Sequence, residues 1–163
     1  LLTRALDSND HATPGHHAAV RAQAAIKLGE IGPKAGNAVS KLRGLLNDAD
    51  DNTRIEAAIA LLRIERNQER VSLLIQNLAN ATTDDTGEWT SNKEYLAYRM
   101  IVALGEFGPE AEDAVPILTR VFNQYDPKLT EKDSWRLREL SEAVLKQIDS
   151  ETAATLIRAD THE

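Results

Sequence analysis

Residues 28–39, LGEIGPKAGNAV, return 76 positions later as LGEFGPEAEDAV at residues 104–115, with eight of the twelve positions identical. A weaker copy lies between them, because residues 20–31 (VRAQAAIKLGEI) align with residues 53–64 (TRIEAAIALLRI) at an offset of 33. Residues 137–148 (LRELSEAVLKQI) form a further copy, 117 positions after the first. Such self-similarity indicates a repeat architecture in which each unit packs on its neighbours.

Each unit contains two segments whose apolar residues recur at intervals of three and four, which places them on one helix face. The pairs Gly32-Pro33 and Gly108-Pro109 predict helix ends, because glycine can adopt the left-handed conformation and proline cannot continue a helix. We therefore predict an all-α fold, a right-handed α-solenoid of four stacked antiparallel helix pairs with a partial fifth. The predicted helices are 1–8, 17–31, 36–47, 53–66, 68–79, 92–107, 112–125, 132–149 and 151–159. The predicted repeats are 1–32, 33–66, 67–108, 109–149 and 150–163, within one domain spanning residues 1–163.

The composition excludes several classes of function. The chain has no cysteine, which excludes disulfides and thiolate-ligated metal centres. Its formal charge of -7, from 19 basic and 26 acidic residues, argues against nucleic-acid binding, because phosphate affinity comes from clustered Lys and Arg. No run approaches the roughly 18 apolar residues that a membrane span needs. Residues 1–6 resemble the second half of a helix, so we expect the chain to be a piece of a longer protein whose compartment the sequence does not indicate.

The repeat resembles HEAT repeats, specifically the bacterial type named after phycobilisome (bilin) lyases. The residues that carry the resemblance are Asp10, Val20-Arg21, Ala24-Ala25, Leu28-Gly29, Ile31-Gly32-Pro33, Ala38-Val39, Leu42 and Leu45-Leu46. The resemblance covers residues 1–149. It implies an armadillo-like helical stack and, for most members of the family, a role as an interaction scaffold.

The resemblance also implies a ladder of ion pairs, each between an Asp in a turn and an Arg of the following helix. In the third repeat both positions differ, since Thr82 and Ala97 stand there. A structural pair predicts this joint loss, because a lone buried charge is costly. We therefore expect a structural role for the six residues at matching positions, which are Asp10 with Arg21, Asp50 with Arg54, and Asp126 with Arg138.

The turns between these positions differ in length. Asp50 and Arg54 are four residues apart, whereas the other pairs of positions are 11, 15 and 12 residues apart. Long turns on one edge of a solenoid often form its binding face, and all seven aromatic residues lie within 89–135, near the two longest turns. Exposed aromatic clusters are typical binding hot spots. The candidate partner-binding residues are Trp89, Tyr98, Arg99, Tyr125 and Trp135. Alternatively, the two tryptophans have a structural role and only pack their turns against the helices behind them.

The longer helix of each repeat offers three rows of equivalent outward positions, none of them uniformly basic, so no phosphate track is predicted. The small apolar row is either a docking surface for a partner helix or peptide, or ordinary packing between helices. The rows are Gln23, Glu56, Arg99 and Leu140; Lys27, Ala60, Ala103 and Val144; and Glu30, Arg63, Glu106 and Gln147.

No catalytic, metal or cofactor site is predicted. His11, His16 and His17 lie in a Pro-Gly segment that we interpret as an exposed turn, because metal binding needs converging ligands. Residues 48–52 (DADDN) lack the glycine and distal glutamate of a calcium loop and predict an acidic helix cap. The His-Glu pairs of HEAT-like deoxyhypusine hydroxylases are missing at the matching positions, which are 22–23, 55–56, 98–99 and 139–140.

We therefore predict a non-enzymatic scaffold that binds a protein or peptide, or another domain of its parent chain. We expect neither nucleic-acid binding nor membrane insertion. One alternative is a structural spacer or cap within a larger protein. A further alternative, suggested only by the type of repeat, is a chromophore chaperone like the bilin lyases.

Overall fold

The computed structural model describes residues 1–7, 14–82, 91–124 and 135–160, and the structural statements below concern these residues. They form nine helices and no strand, which confirms the all-α solenoid-type fold. No helix in these ranges is both long and apolar enough to cross a membrane. The helices are α1 (Leu2–Ala5), α2 (Pro14–Ile31), α3 (Val39–Leu45), α4 (Asp51–Glu65), α5 (Gln68–Thr82), α6 (Ser91–Phe107), α7 (Val115–Gln124), α8 (Trp135–Ile148) and α9 (Ser150–Asp160).

The chain divides into two compact units, residues 1–74 and residues 75–163, and the boundary falls inside α5. In the first unit α4 packs on α2 and α3, and in the second unit α8 packs on α6, α7 and α9. Both cores are aliphatic, because the apolar stripe of each helix is buried against its neighbours. Fully buried leucines include Leu42, Leu61, Leu104, Leu118 and Leu145. The arrangement of residues 1–163 as one domain stays a prediction.

The glycine of the repeated Leu-Gly-Glu motif lies where two helices come closest. A Cβ atom added to Gly29 would lie 3.0 Å from the Cα atom of Ala60, and one added to Gly105 would lie 2.9 Å from Cγ2 of Val144. These glycines let α2 approach α4 and α6 approach α8. Ala60, Ala103 and Val144 are buried. Packing between helices is therefore confirmed for this part of the small apolar row.

The predicted helix ends are confirmed, since Gly32 and Gly108 have φ angles of +66° and +62°. Each glycine opens a 3₁₀ segment, Gly32–Ala38 or Gly108–Ala114, before the next α-helix. The helices predicted to begin at 36 and 112 therefore begin as α-helices only at Val39 and Val115. The buried alanines of each segment hold it against the core.

Helix α2 begins at Pro14, three residues earlier than predicted. Proline suits the first helical position, because its fixed φ angle matches the helix and its missing N–H has no acceptor there. The prediction that His16 and His17 lie in an exposed turn is therefore wrong for the backbone of both residues. His11 lies outside the described residues.

Candidate functional site

Arg21 and Asp48 form a bidentate ion pair between α2 and the turn before α4. Arg21 donates from Nε to Oδ2 of Asp48 at 2.7 Å and from Nη2 to Oδ1 at 2.9 Å, and the two side chains are only 12% and 8% exposed. Burial raises the pKa of Asp48. This effect is outweighed by hydrogen bonds from Arg21 and from the backbone N–H of Asp50, and by the positive charges of Arg21 and Arg54. The pKa of Asp48 therefore lies below its ordinary value.

This contact changes the predicted ladder. Arg21 binds an Asp in the turn of the next repeat, while its predicted partner Asp10 lies outside the described residues. The predicted pairing of Asp50 with Arg54 is wrong, because Arg54 pairs with Asp51 and donates to the carbonyl oxygen of Asp48.

Asp50 instead caps α4. Its carboxylate accepts hydrogen bonds from the backbone N–H of Thr53 at 2.8 Å and from the Thr53 hydroxyl at 2.7 Å. These bonds satisfy one of the backbone donors that a helix leaves open at its N-terminus. The acidic helix cap predicted for residues 48–52 is thereby confirmed.

In the described part of the third and fourth repeats, the corresponding residues make other contacts. Arg120 of α7 donates to the hydroxyl of Thr82 at 2.8 Å, and Gln124 donates to the Thr82 carbonyl oxygen at 3.3 Å. Arg138 stacks its guanidinium 4.0 Å from the centre of the Phe122 ring and donates to the Phe122 carbonyl oxygen. Asp126, the predicted partner of Arg138, lies outside the described residues.

The sequence patterns did not indicate one ion-pair cluster, in which Glu65 and Arg70 are largely buried and Arg43 is exposed. Glu65, at the end of α4, accepts from Nε of Arg70 at 2.6 Å and from Nη2 of Arg43 at 2.6 Å. Burial raises the pKa of Glu65, but hydrogen bonds from the two arginines and their charges lower it below its ordinary value. No repeated spacing marks this cluster, because its three members come from α3, α4 and α5.

The strongest candidate for a binding surface is an open groove between α6 and α8 in the second unit. Its volume is about 890 Å³. Tyr95 and Tyr98 line one side and are 49% and 45% exposed, and Leu137 and Leu140 supply its apolar lining from α8. We call this surface the tyrosine groove; its lining residues are Glu94, Tyr95, Tyr98, Arg136, Leu137, Glu139 and Leu140.

The spacing of the lining residues explains how they share one surface. Tyr95 and Tyr98 are three positions apart on α6, and Arg136, Glu139 and Leu140 follow at three and four positions on α8. Residues at these spacings lie on the same helix face. The groove therefore combines two amphipathic rings, an apolar floor and charges of both signs.

The five predicted partner-binding residues do not all lie in the groove or within the part of the chain that the structure describes. Tyr98 lines the groove, and Arg99 is half-buried beside it in the chain. Trp135 begins α8, and its side chain is outside the described residues, as are Trp89 and Tyr125. Sequence reasoning did not single out Tyr95, Glu94 or Glu139.

Four of the predicted outward positions are buried: Glu56, with 2% of its surface exposed, and the three small or apolar residues Ala60, Ala103 and Val144. Within the described residues, no three His, Asp or Glu side chains come together in a way that would hold a metal ion.

The folded units define an all-α protein built from stacked helical repeats. The family model described as HEAT repeats matches residues 11–92, which is half of the chain. The chain therefore belongs to the HEAT repeat family, whose members generally serve as protein-interaction scaffolds. No curated protein and no solved structure matches the chain.

Proposed function

We propose that this chain is a non-catalytic HEAT-repeat scaffold that binds a polypeptide through the tyrosine groove. The polypeptide is either another protein or another domain of the parent chain. The observation that carries the proposal is the pair of exposed tyrosine rings beside a leucine-lined floor. Tyrosine is enriched at protein interfaces, because its rigid ring buries a large apolar area while its hydroxyl keeps a hydrogen bond.

The two tyrosines that the described part of the chain leaves exposed both line the groove. The other large hydrophobic residues exposed in the described ranges are Leu1 and Ile31, and neither lines the groove. An apolar patch rimmed by polar residues is typical of a binding surface, whereas single exposed apolar residues are ordinary. Family membership supports the same interpretation, since stacked repeats present extended surfaces to partners.

The wider form of the proposal includes the residues of the long turns. In sequence, Trp89 precedes α6, Tyr125 follows α7, Trp135 is the first residue of α8, and Arg99 follows Tyr98. We propose that they extend the partner contact beyond the groove. Trp89→Ala and Trp135→Ala test this extension, and it fails if both variants keep every interaction of the parent chain.

Site-specific photocrosslinking tests the groove itself. A benzoyl-phenylalanine placed at Tyr98 should form covalent adducts with a defined polypeptide segment, which mass spectrometry identifies and a synthetic peptide then reproduces. The matched control places the same probe at Glu112, which is exposed in the same unit but does not line the groove.

Tyr95→Ala should suppress the adduct at position 98 without changing the far-UV circular dichroism. Equal labelling at both positions, or no adduct at position 98, would refute the groove and favour the structural spacer or cap.

A further inference from the structure

We infer that the tyrosine groove binds a short polypeptide segment that presents one lysine or arginine flanked by aliphatic side chains. This inference rests on the proposed function and specifies the chemistry of its partner. Three features of the groove support it: the carboxylates at its rim, the two adjacent tyrosine rings and the apolar floor between the helices.

The first feature is charge. Glu94 lines the groove from α6, and Glu139 lines it from α8. Among the described residues, no ion pair involves Glu139, which is exposed. Residues 89–163 contain nine Lys and Arg against 14 Asp and Glu. A groove lined by two carboxylates and one cation, in an acidic part of the sequence, attracts cationic groups and repels phosphates, so a basic partner is favoured over a nucleic acid.

The second feature is the pair of rings. Lysine and arginine side chains are attracted to the faces of tyrosine rings, because each ring face carries partial negative charge. Tyr95 and Tyr98 lie about one helical turn apart, and Glu94, four positions before Tyr98, lines the same groove. A cationic head group that binds here gains ring contact and charge attraction at the same place.

The third feature is the apolar floor together with Arg136. Leu137 is buried and Leu140 is half-buried, so the floor accepts the aliphatic stem of the basic residue and the apolar residues beside it. Arg136 adds a positive charge to the same lining. This charge disfavours a continuous basic run, because like charges close together repel. The groove therefore fits a single basic residue in an aliphatic context.

Fluorescence anisotropy with labelled synthetic peptides tests the inference on the full chain. The probes are three short leucine–serine peptides that differ only at their central residue, which is Arg, Gln or Glu. The Arg peptide should bind about tenfold more tightly than the Glu peptide, with the Gln peptide between them.

Charge-reversal variants test the contribution of the rim. Glu139→Arg should weaken binding of the Arg peptide about tenfold and strengthen binding of the Glu peptide. Glu112→Arg makes the same change of charge outside the groove and should leave both affinities within about twofold.

Ring variants test the contribution of Tyr98. Tyr98→Phe keeps the ring and should retain most of the affinity, whereas Tyr98→Leu should lose about fivefold. Circular dichroism and thermal unfolding of each variant separate a loss of binding from a loss of folding.

Several outcomes would overturn the inference. These are equal or tighter binding of the Glu peptide, equal effects of Glu112→Arg and Glu139→Arg, tighter binding of a single-stranded oligonucleotide, and no binding of the Arg peptide up to about 1 mM. If crosslinks depend on the groove but the Glu peptide binds more tightly, only the inference of a basic partner fails, and the proposed function stands. Absence of both crosslinks and peptide binding would remove the proposed function as well.

Discussion

Replacing Arg21 with alanine should destabilise the chain by about 2–3 kcal/mol. The substitution removes both hydrogen bonds to Asp48 and leaves that carboxylate, whose side chain is 8% exposed, without its bidentate partner. Breaking a buried pair from one side costs about 3–5 kcal/mol, whereas exposed pairs contribute about 0–1 kcal/mol. The low exposure of both side chains places this pair near the buried limit. The backbone N–H of Asp50 still bonds Asp48 and reduces the loss.

Urea denaturation followed by far-UV circular dichroism measures the change in the free energy of unfolding. The comparison of Asp48→Asn with Asp51→Asn isolates the buried contact, because both substitutions remove one carboxylate close to the N-terminus of α4. Asp51 is 62% exposed and pairs with Arg54 on the surface. We expect a loss above about 1 kcal/mol for Asp48→Asn and below about 0.5 kcal/mol for Asp51→Asn.

The pH dependence gives the sign of the electrostatic contribution. The pKa of Asp48 is lowered in the folded chain, because bonds and charges from its partners outweigh the effect of burial. A carboxyl group with a lowered pKa contributes stability above its unfolded pKa of about 3.9 and loses it as the pH falls through the folded pKa. The stability gap between the natural chain and Asp48→Asn should be constant from about pH 7 to 5 and narrow below about pH 4.

An equal cost for Asp51→Asn, or a gap that stays unchanged down to about pH 3, would refute this account of the pair.

Four further substitutions test local packing, backbone geometry and helix capping, and thermal unfolding measures the effect of each. Gly105→Ala should destabilise the chain by about 1 kcal/mol, because crowding of the added methyl group against Val144 exceeds the gain in helix propensity. Val144→Ala should therefore cost less stability in the Gly105→Ala background than in the natural chain. Purely additive costs of the two substitutions would contradict this explanation. Arg66→Gly should stabilise by about 0.5–1 kcal/mol, since residue 66 has a φ angle of +45°; an unchanged or lower Tm would contradict it. Asp50→Ala should cost about 1 kcal/mol through loss of the α4 cap, and unchanged stability would argue against the cap.

The sequence allowed much of the fold to be predicted, because the repeated motif encodes local geometry. Glycine is required at Gly32 and Gly108, where the backbone is left-handed, and at Gly29 and Gly105, where two helices come close. Each of these features of the fold can therefore be recognised in the sequence. The ion pairs were harder to predict. Several acidic residues in neighbouring turns are possible partners for Arg21. Which of them pairs with it depends on how the helices stack rather than on spacing along the chain.

The tyrosine groove could not be predicted in full for a related reason. The repeat alignment places Ala22, Ile55, Tyr98 and Glu139 at equivalent positions. Ala22 and Ile55 are buried, whereas Tyr98 and Glu139 are exposed and line the groove. The residue at this position is therefore part of the core in the first two repeats and part of the exposed surface in the third and fourth. Equivalence in sequence does not imply an equivalent environment, because burial depends on which neighbours cover each helix. Tyr98 and Glu139, which replace the apolar residues found at this position in the first two repeats, are thus two of the residues that form the candidate site.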